Sequence, residues 1–319
     1  MTPEAFEARL RAVLAERYHD RHPFNLRMHE GTLAADEIRT WVRNRYYYQT
    51  RIPIKDGIIL AKSEDPGFRR QWIRRIRDHD GDGSAQEGGL ELWLRLAEAV
   101  GLDSADVASL RDVLPGVRRA CDAYVRFVST RDLLESVASS LTELAAGGLM
   151  VERIACFEKH YPWVKTDGLR YFQSRTEQAP RDAAEGLRYV LEHARGEEDQ
   201  ARCVRALERK CEILGALLDG VEWGARQLRL APDAKVHDEP EGPLVVLAER
   251  AVRVNETGRE ILGLCDGDRS ACQVAAAMRL RHAAPPEVER EAYAFLEEME
   301  KLGVLEAPAD PTPATERPA

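Results

Sequence analysis

EDQARCVRALERKCEILGALLDGVEWGARQ, residues 198–227, decides the fold. It reads as one continuous helix, ~45 Å long at about 1.5 Å per residue. Upstream, helical periodicity recurs through 34–50, 66–79, 86–100, 117–129, 131–146, 149–159 and 181–195. The chain opens with TPEAFEARLRAVLAERYHD, a Thr cap followed by Pro3 and Glu4, the residues that start helices. Turn and break signals (HPF, IPIKDG, EDPG, VLPG, HYPW, QAPRD) separate the segments, and no strand alternation interrupts them. Residues 1–229 are therefore predicted to form an all-α bundle.

Downstream the composition changes. LAPDAKVHDEPEGP, 230–243, is rich in Pro, Asp and Glu and reads as a linker. LVVLAERAVRV then alternates like a short hairpin, and three helical stretches follow: NETGREILGLCDG, SACQVAAAMRLRH and PPEVEREAYAFLEEMEKLGVL. Two strands and three helices in 244–306 suit a small winged-helix-like α+β domain. The end, 307–319, has the composition of a disordered tail.

At 319 residues and 44% apolar the chain can bury a core. A net charge of −9 argues against nucleic-acid binding by overall charge, and 244–306 holds twelve Asp/Glu against eight Lys/Arg. Six cysteines form no CxxC pair, and Cys203 and Cys211 sit about 12 Å apart along the long helix, so they read as reduced thiols of a cytoplasmic protein. No apolar run is long enough to span a membrane, and no secretion signal is recognisable.

The chemistry lies in helical stripes. Arg45, Tyr48 and Gln49 share a face of WVRNRYYYQTR; Arg75, Asp78 and His79 do so in RRIRDHDGDG; Tyr171 and Arg175 do so in YFQSR. A helix aromatic or charged on every face is normally buried, and burying Arg45 demands an anionic or carbonyl partner. Such stripes facing one another would line a cationic, aromatic cavity for an anionic planar ligand. His79, beside Asp78, is the candidate acid/base near neutral pH.

Other motifs fail on inspection. DHDGDG matches the first half of a calcium loop, but its twelfth position would be Gly89, where a bidentate Glu is needed. Glu16 and His19 make one Glu-x-x-His pair, and a di-iron site needs a second on another helix. No GxSxG elbow, P-loop or GxGxxG fingerprint is present.

The strings RYHDRHPF, NRYYYQTRIPIKD, RRIRDHDGDG, LPGVRRACDAYV, SSLTEL, HYPWV, YFQSR and QAPRD resemble the pyrroloquinoline-quinone synthase (PqqC) family, over roughly residues 4–227. NETGREILGLCDG and EEMEKLGVLE resemble PqqD, the small carrier of the precursor peptide PqqA. The resemblance implies a seven-helix fold of the haem-oxygenase/thiaminase type that holds no haem, metal or organic cofactor. It implies an oxidase that closes a ring and completes an eight-electron oxidation of a quinoline-type precursor, with O2 as co-substrate and hydrogen peroxide released. It also implies a homodimer, with PqqA and the radical enzyme PqqE as partners of the second domain.

Carried over by position, the family's catalytic residues fall on His79, Tyr171, Arg175, His19 and Glu143. Substrate-binding positions fall on Tyr18, Arg45, Tyr48, Gln49, Lys55, Arg75, Asp78, Tyr124, Thr142, Arg153 and Lys210. By the same resemblance His79 is the principal acid/base, Tyr171 and Arg175 close over the product and shape the O2 pocket, and Glu143 accepts a proton. Where many relatives carry Phe and Pro after SSLTEL, this chain has Ala145, Ala146, Gly147 and Gly148; where some place a site His, it has Met150. Two competing readings remain: a thiaminase using Cys121, one turn from Tyr124, and a winged-helix regulator with a ligand-sensing bundle.

Overall fold

A computed structural model describes residues 1–83, 87–282 and 287–307. The chain divides into two compact units, Met1–Val221 and Glu222–Ala319.

The first unit is helical throughout its described residues. In chain order come α1 (Pro3–Arg17), α2 (Pro23–Glu30), α3 (Ala35–Ala61), α4 (Pro66–Asp80), α5 (Gly89–Ala99), α6 (Ser104–Ala108), α7 (Pro115–Thr130), α8 (Leu133–Ser139), α9 (Glu143–His160), α10 (Arg170–His193) and α11 (Glu197–Ala225). Their starts follow from local chemistry. Thr2 caps α1 ahead of Pro3, and the Asp65 carboxylate accepts from the Gly67 and Phe68 amides ahead of α4. The His22 ring accepts from the Phe24 amide to start α2, and Gly81, at φ +82°, ends α4.

Three boundaries differ from the sequence expectation. IPIKDG and QAPRD do not break the chain: α3 runs through Pro53 and α10 through Pro180. Each proline costs about 3 kcal/mol in a helix interior, which α3 offsets by burying Ile52, Pro53, Lys55, Asp56 and Ile59. The segment 131–146, expected as one helix, is divided by a 3₁₀ turn at Ser140–Thr142. There Ser136 and Ser139 turn their hydroxyls onto backbone carbonyls. α9 then continues through Gly147 and Gly148, because α10 packs close: a Cβ on Gly147 would lie 3.1 Å from Pro180 Cγ.

The core that matters for the site is aromatic. Trp41 and Trp93 meet edge to face at 5.4 Å, Trp41 stacks on Phe172 at 6.3 Å, and Trp93 abuts the Tyr171 ring at 4.8 Å. Tyr171 is thus held by a rigid apolar wall.

The second unit contains β1 (Gln227–Leu230), β2 (Lys235–His237), β3 (Leu244–Val246), β4 (Ala251–Arg253), α12 (Glu256–Leu264), β5 (Asp266–Ser270), α13 (Ala271–His282), α14 (Glu287–Lys301) and β6 (Leu305–Glu306). The hairpin expected in 244–254 is present as β3 and β4. The rest is richer in strands than anticipated: two three-stranded sheets form, ordered β5-β1-β6 and β2-β3-β4. The stretch 230–243, expected as a linker, carries β2, which pairs Val236 with Val245. A three-residue strand is too short to show alternation in a sequence, and only its pairing reveals it. Leu228, Val245, Ile261, Leu262, Val274, Met278, Leu296 and Val304 fill this unit's core. The tail expected at 307–319 lies, from 308 onward, outside the described residues. No helix among the described residues is long and apolar enough to cross a membrane.

Candidate active site

One cavity in the first unit gathers side chains from six helices and two 3₁₀ turns with their flanks. Tyr18 and His19 follow α1; Arg45, Tyr48, Ile52 and Lys55 come from α3, and His79 from α4. Tyr124 comes from α7, Ser140 and Thr142 from the 3₁₀ turn, and Glu143, Ala146 and Met150 from α9. α10 contributes Tyr171 and Arg175, and α11 contributes Lys210 and Leu214.

Four of the residues anticipated from sequence stand behind this lining. Gln49 accepts a hydrogen bond from the Tyr171 hydroxyl at 2.8 Å, so it holds that phenol in place. Arg75 is buried, with Nη1 3.2 Å from Glu143 Oε2. Arg153 donates from Nη2 to Asn25 Oδ1 at 2.9 Å. Asp78 pairs with Arg181 rather than with His79. That corrects the expected Asp78–His79 pair, because neighbours in a helix point about 100° apart. Glu16 is exposed whereas His19 is buried in the cavity, since α1 ends between them, and the Glu-x-x-His pair does not share a face. Cys121 is buried outside the lining, and burial pushes its thiol up to about 12, leaving no thiolate for thiaminase chemistry.

Sequence reasoning missed several participants. Ile52, Ser140 and Leu214 line the cavity, and no spacing singles them out. Ala146 and Met150, noted only as departures from relatives, line it as well. Asn25, Asp56 and Asp182 are buried supports; Asp182 sat inside QAPRD, which read as a break.

The electrostatics divide the cavity into two ends. Arg45, Arg153 and Lys210 crowd one end beside His19, and among the described residues no carboxylate lies within ion-pair distance of their nitrogens. Arg45 Nη1 and Arg153 Nε are buried without a hydrogen-bond partner. Lys210 Nζ sits 3.4 Å from the Tyr124 ring centroid and donates to the Tyr48 hydroxyl at 2.9 Å. Burial, with Lys55 and Arg45 nearby, drives the Lys210 ammonium well below its ordinary pKa; burial and Arg45 bring Arg153 down to about 10. Burial, Arg45 and Arg153 likewise depress His19.

The other end is balanced. Lys55 Nζ lies 2.7 Å from Asp56 Oδ1, which also accepts from Trp72 Nε1 at 2.9 Å. Burial opposes the Lys55 charge, yet Asp56, Tyr124 and Glu143 together hold its pKa above the ordinary value. His79 Nδ1 lies 3.0 Å from the Arg75 carbonyl, an arrangement that makes Nδ1–H the donor and leaves Nε2, which has no partner, with its lone pair. Burial and then Arg175 lower His79 to about 3, so it is neutral.

Two stability predictions follow. Asp56→Asn strands a buried ammonium and is expected to destabilise the protein by about 3–5 kcal/mol, whereas Lys55→Met combined with Asp56→Leu costs far less. Denaturant unfolding of the single and double variants tests this; equal losses would mean that the ion pair is not the cause. The depressed histidines give an acid-side effect: the unfolded chain protonates them below about pH 6.5 while the folded chain does not. Stability is thus lost as pH falls from 6.5, by about 2 kcal/mol for His79 at pH 5, and His19 adds a loss in the same direction. Thermal unfolding at pH 7 and 5 reads this, and the double variant His19→Asn/His79→Asn should show a flatter profile.

Comparisons with known proteins agree with this architecture. Residues 7–220 match the model of the TENA/THI-4/PQQC family, and residues 243–305 match coenzyme PQQ synthesis protein D, PqqD. A Rhizobium rhizogenes protein named pyrroloquinoline-quinone synthase is 51% identical over 218 residues, covering 68% of this chain and 88% of that protein. One of the same name from Xanthomonas oryzae pv. oryzae is 48% identical over 247 residues, covering 75% and 95%. Among solved structures, a Shewanella denitrificans domain with a haem-oxygenase-like fold superposes with a TM-score of 0.55 at 14% identity, covering 69% of this chain and 89% of that one. A TenA homologue from Pseudomonas syringae pv. tomato gives 0.55 at 16%, covering 68% and 93%. These two share the fold alone. The chain belongs to the TENA/THI-4/PQQC family, in a haem-oxygenase-like helical unit followed by a PqqD domain.

Proposed function

We propose that this chain is a pyrroloquinoline-quinone synthase that needs no metal or organic cofactor. Its place in pyrroloquinoline-quinone biosynthesis rests on both family matches. The reaction proposed is ring closure of a bicyclic, polycarboxylated quinoline-type dione followed by its eight-electron oxidation, with O2 as acceptor and hydrogen peroxide released.

One observation carries this reading: Arg45, Arg153 and Lys210 are packed together with no carboxylate among the described residues to answer them. Buried cations left unpaired are costly, and a ligand bearing several carboxylates removes the cost on binding. At the opposite end His79 Nε2 and Glu143 are placed to move protons, and Tyr171 with Arg175 would close over the rings. A substrate of this kind reduces O2 itself once deprotonated, so the protein supplies position, bases and positive potential.

The test is aerobic incubation of metal-stripped protein with the quinoline precursor, following quinone absorbance, O2 uptake and peroxide together. Quinone and peroxide without metal support the proposal. Tight binding without turnover would make the bundle a ligand sensor instead.

For the second unit we propose capture of the precursor peptide PqqA, and through it contact with PqqE. A groove among α12, α13 and α14, lined by Thr257, Ile261, Met278, Ala292 and Phe295, and the open edges of two small sheets offer extended backbone a place to add. A labelled precursor peptide should bind the full chain saturably; DNA retardation at physiological salt would overturn this assignment. A cytoplasmic homodimer completes the proposal, and sedimentation of the full chain measures its mass.

A further inference from the structure

Two carboxylates, Glu143 and Asp182, flank the Arg175 guanidinium, and they are hydrogen-bonded unequally. Glu143 Oε2 lies 3.2 Å from Arg75 Nη1 and 3.6 Å from Arg175 Nη2, yet it receives no hydrogen bond. Asp182 Oδ2 lies 3.6 Å from Arg175 Nη1, while its Oδ1 accepts from Arg181 at 2.6 and 3.1 Å. The Asp182 backbone carbonyl takes Arg75 Nη2 as well. Asp182 is 1% exposed and lies outside the cavity lining; Glu143 faces the cavity.

We infer that Asp182 is a positioning residue: its backbone carbonyl holds Arg75 and its carboxylate shares Arg175, so that Glu143 is left without hydrogen bonds and is free to take a proton from the substrate. This rests on the oxidase reading given above. Other charged or titratable groups around Glu143 are Lys55 from α3, Arg75 from α4, and Tyr171 and Arg175 from α10, with His79 of α4 lining the same cavity. The directions of titration agree with the geometry. Burial and then Asp182 hold Glu143 above the usual glutamate range against Arg75 and Arg175. Asp182, despite burial, is held low by Arg75, Arg175 and Arg181. Without substrate His79 is neutral throughout this range; once bound substrate raises it, its limb is told from that of Glu143 by what Glu143→Gln removes.

The test is the pH dependence of kcat for quinone formation. In the wild-type protein the rate should fall on the acid side as Glu143 becomes protonated, and Glu143→Gln should lose that limb. Asp182→Asn keeps the backbone carbonyl that holds Arg75 but releases Arg175 to Glu143, and should move the limb down by about one pH unit; Asp182→Glu should restore it. A limb unmoved in active Asp182→Asn, or shifted equally by Asp182→Glu, overturns the inference. The infrared carbonyl band of a protonated carboxyl, titrated without substrate, reads the same group independently of activity. The component of that band that titrates above the usual glutamate range should be lost in Glu143→Gln, and its absence from the wild-type protein would overturn the inference even if Asp182→Asn does not fold. Should the wild-type protein make no quinone, the oxidase reading fails while the infrared arm still decides the carboxylate pair.

Discussion

Lys210→Met is expected to raise KM for the polycarboxylated substrate about 100-fold and, in the same protein, to raise the melting temperature of the ligand-free form. The two effects share one cause. Lys210 is 1% exposed, has no carboxylate partner among the described residues, and is repelled by Lys55 and Arg45. Methionine keeps the length and apolar contact of the side chain against Tyr124 and Leu214 while removing a charge that burial penalises. A gain of ~1 kcal/mol corresponds to ~2–4 °C in a domain of this size. The binding loss follows from the same charge seen by a substrate carboxylate: at about 5 Å and an effective dielectric near 20, attraction is worth ~3 kcal/mol, or ~100-fold. Steady-state kinetics and calorimetric unfolding of one preparation test both signs. If stability and affinity fall together, Lys210 is a structural residue and the unpaired cations are not awaiting an anion.

That opposition of stability and function bears on how far this protein is readable from its sequence. The periodic long helices were legible, because α4, α5, α7 and α11 bury one face and expose the other at a period the sequence displays. The continuations through Pro53 and Pro180 were not, since tertiary burial outweighs a local penalty that the sequence states plainly. In the second unit the short strands β1 and β6 draw their existence from partners distant in the chain, and β2 is too short to show its pattern.

The site divides along similar lines. The stripes at 45–48 and 171–175 were visible as charged and aromatic residues on shared helix faces, and they reach the cavity together. Lys210, Thr142 and Arg153 carried no local signal and were placed by family resemblance alone. Asn25 and Asp182 had neither. Asn25 is fully buried, accepts from Arg153, and donates to the His19 carbonyl at 2.6 Å, joining α2 to α9 across 128 residues of sequence. An asparagine after HPF announces none of this.

His79→Asn is expected to lower kcat by ~10²–10⁴-fold, the range for a lost general acid/base, with a small change in KM. Asparagine can still donate to the Arg75 carbonyl as Nδ1–H does, so what disappears is Nε2, the lone pair without a protein partner. A histidine lowered to about 3 by burial and Arg175 is a feeble base, and its usefulness has to come from the substrate. Each substrate carboxylate placed about 6 Å away offers ~3 kcal/mol of opposite field, enough to raise an imidazole by ~2 units. Two such charges would bring His79 close to neutrality, where proton transfer is most effective. The anion thereby switches on the base that acts on it, and binding must draw protons from solution. Calorimetry of product binding in two buffers of different ionisation enthalpy measures that uptake near pH 7. It should shrink in His79→Asn; uptake and kcat both unchanged would move the proton to His19, the other depressed histidine in the lining.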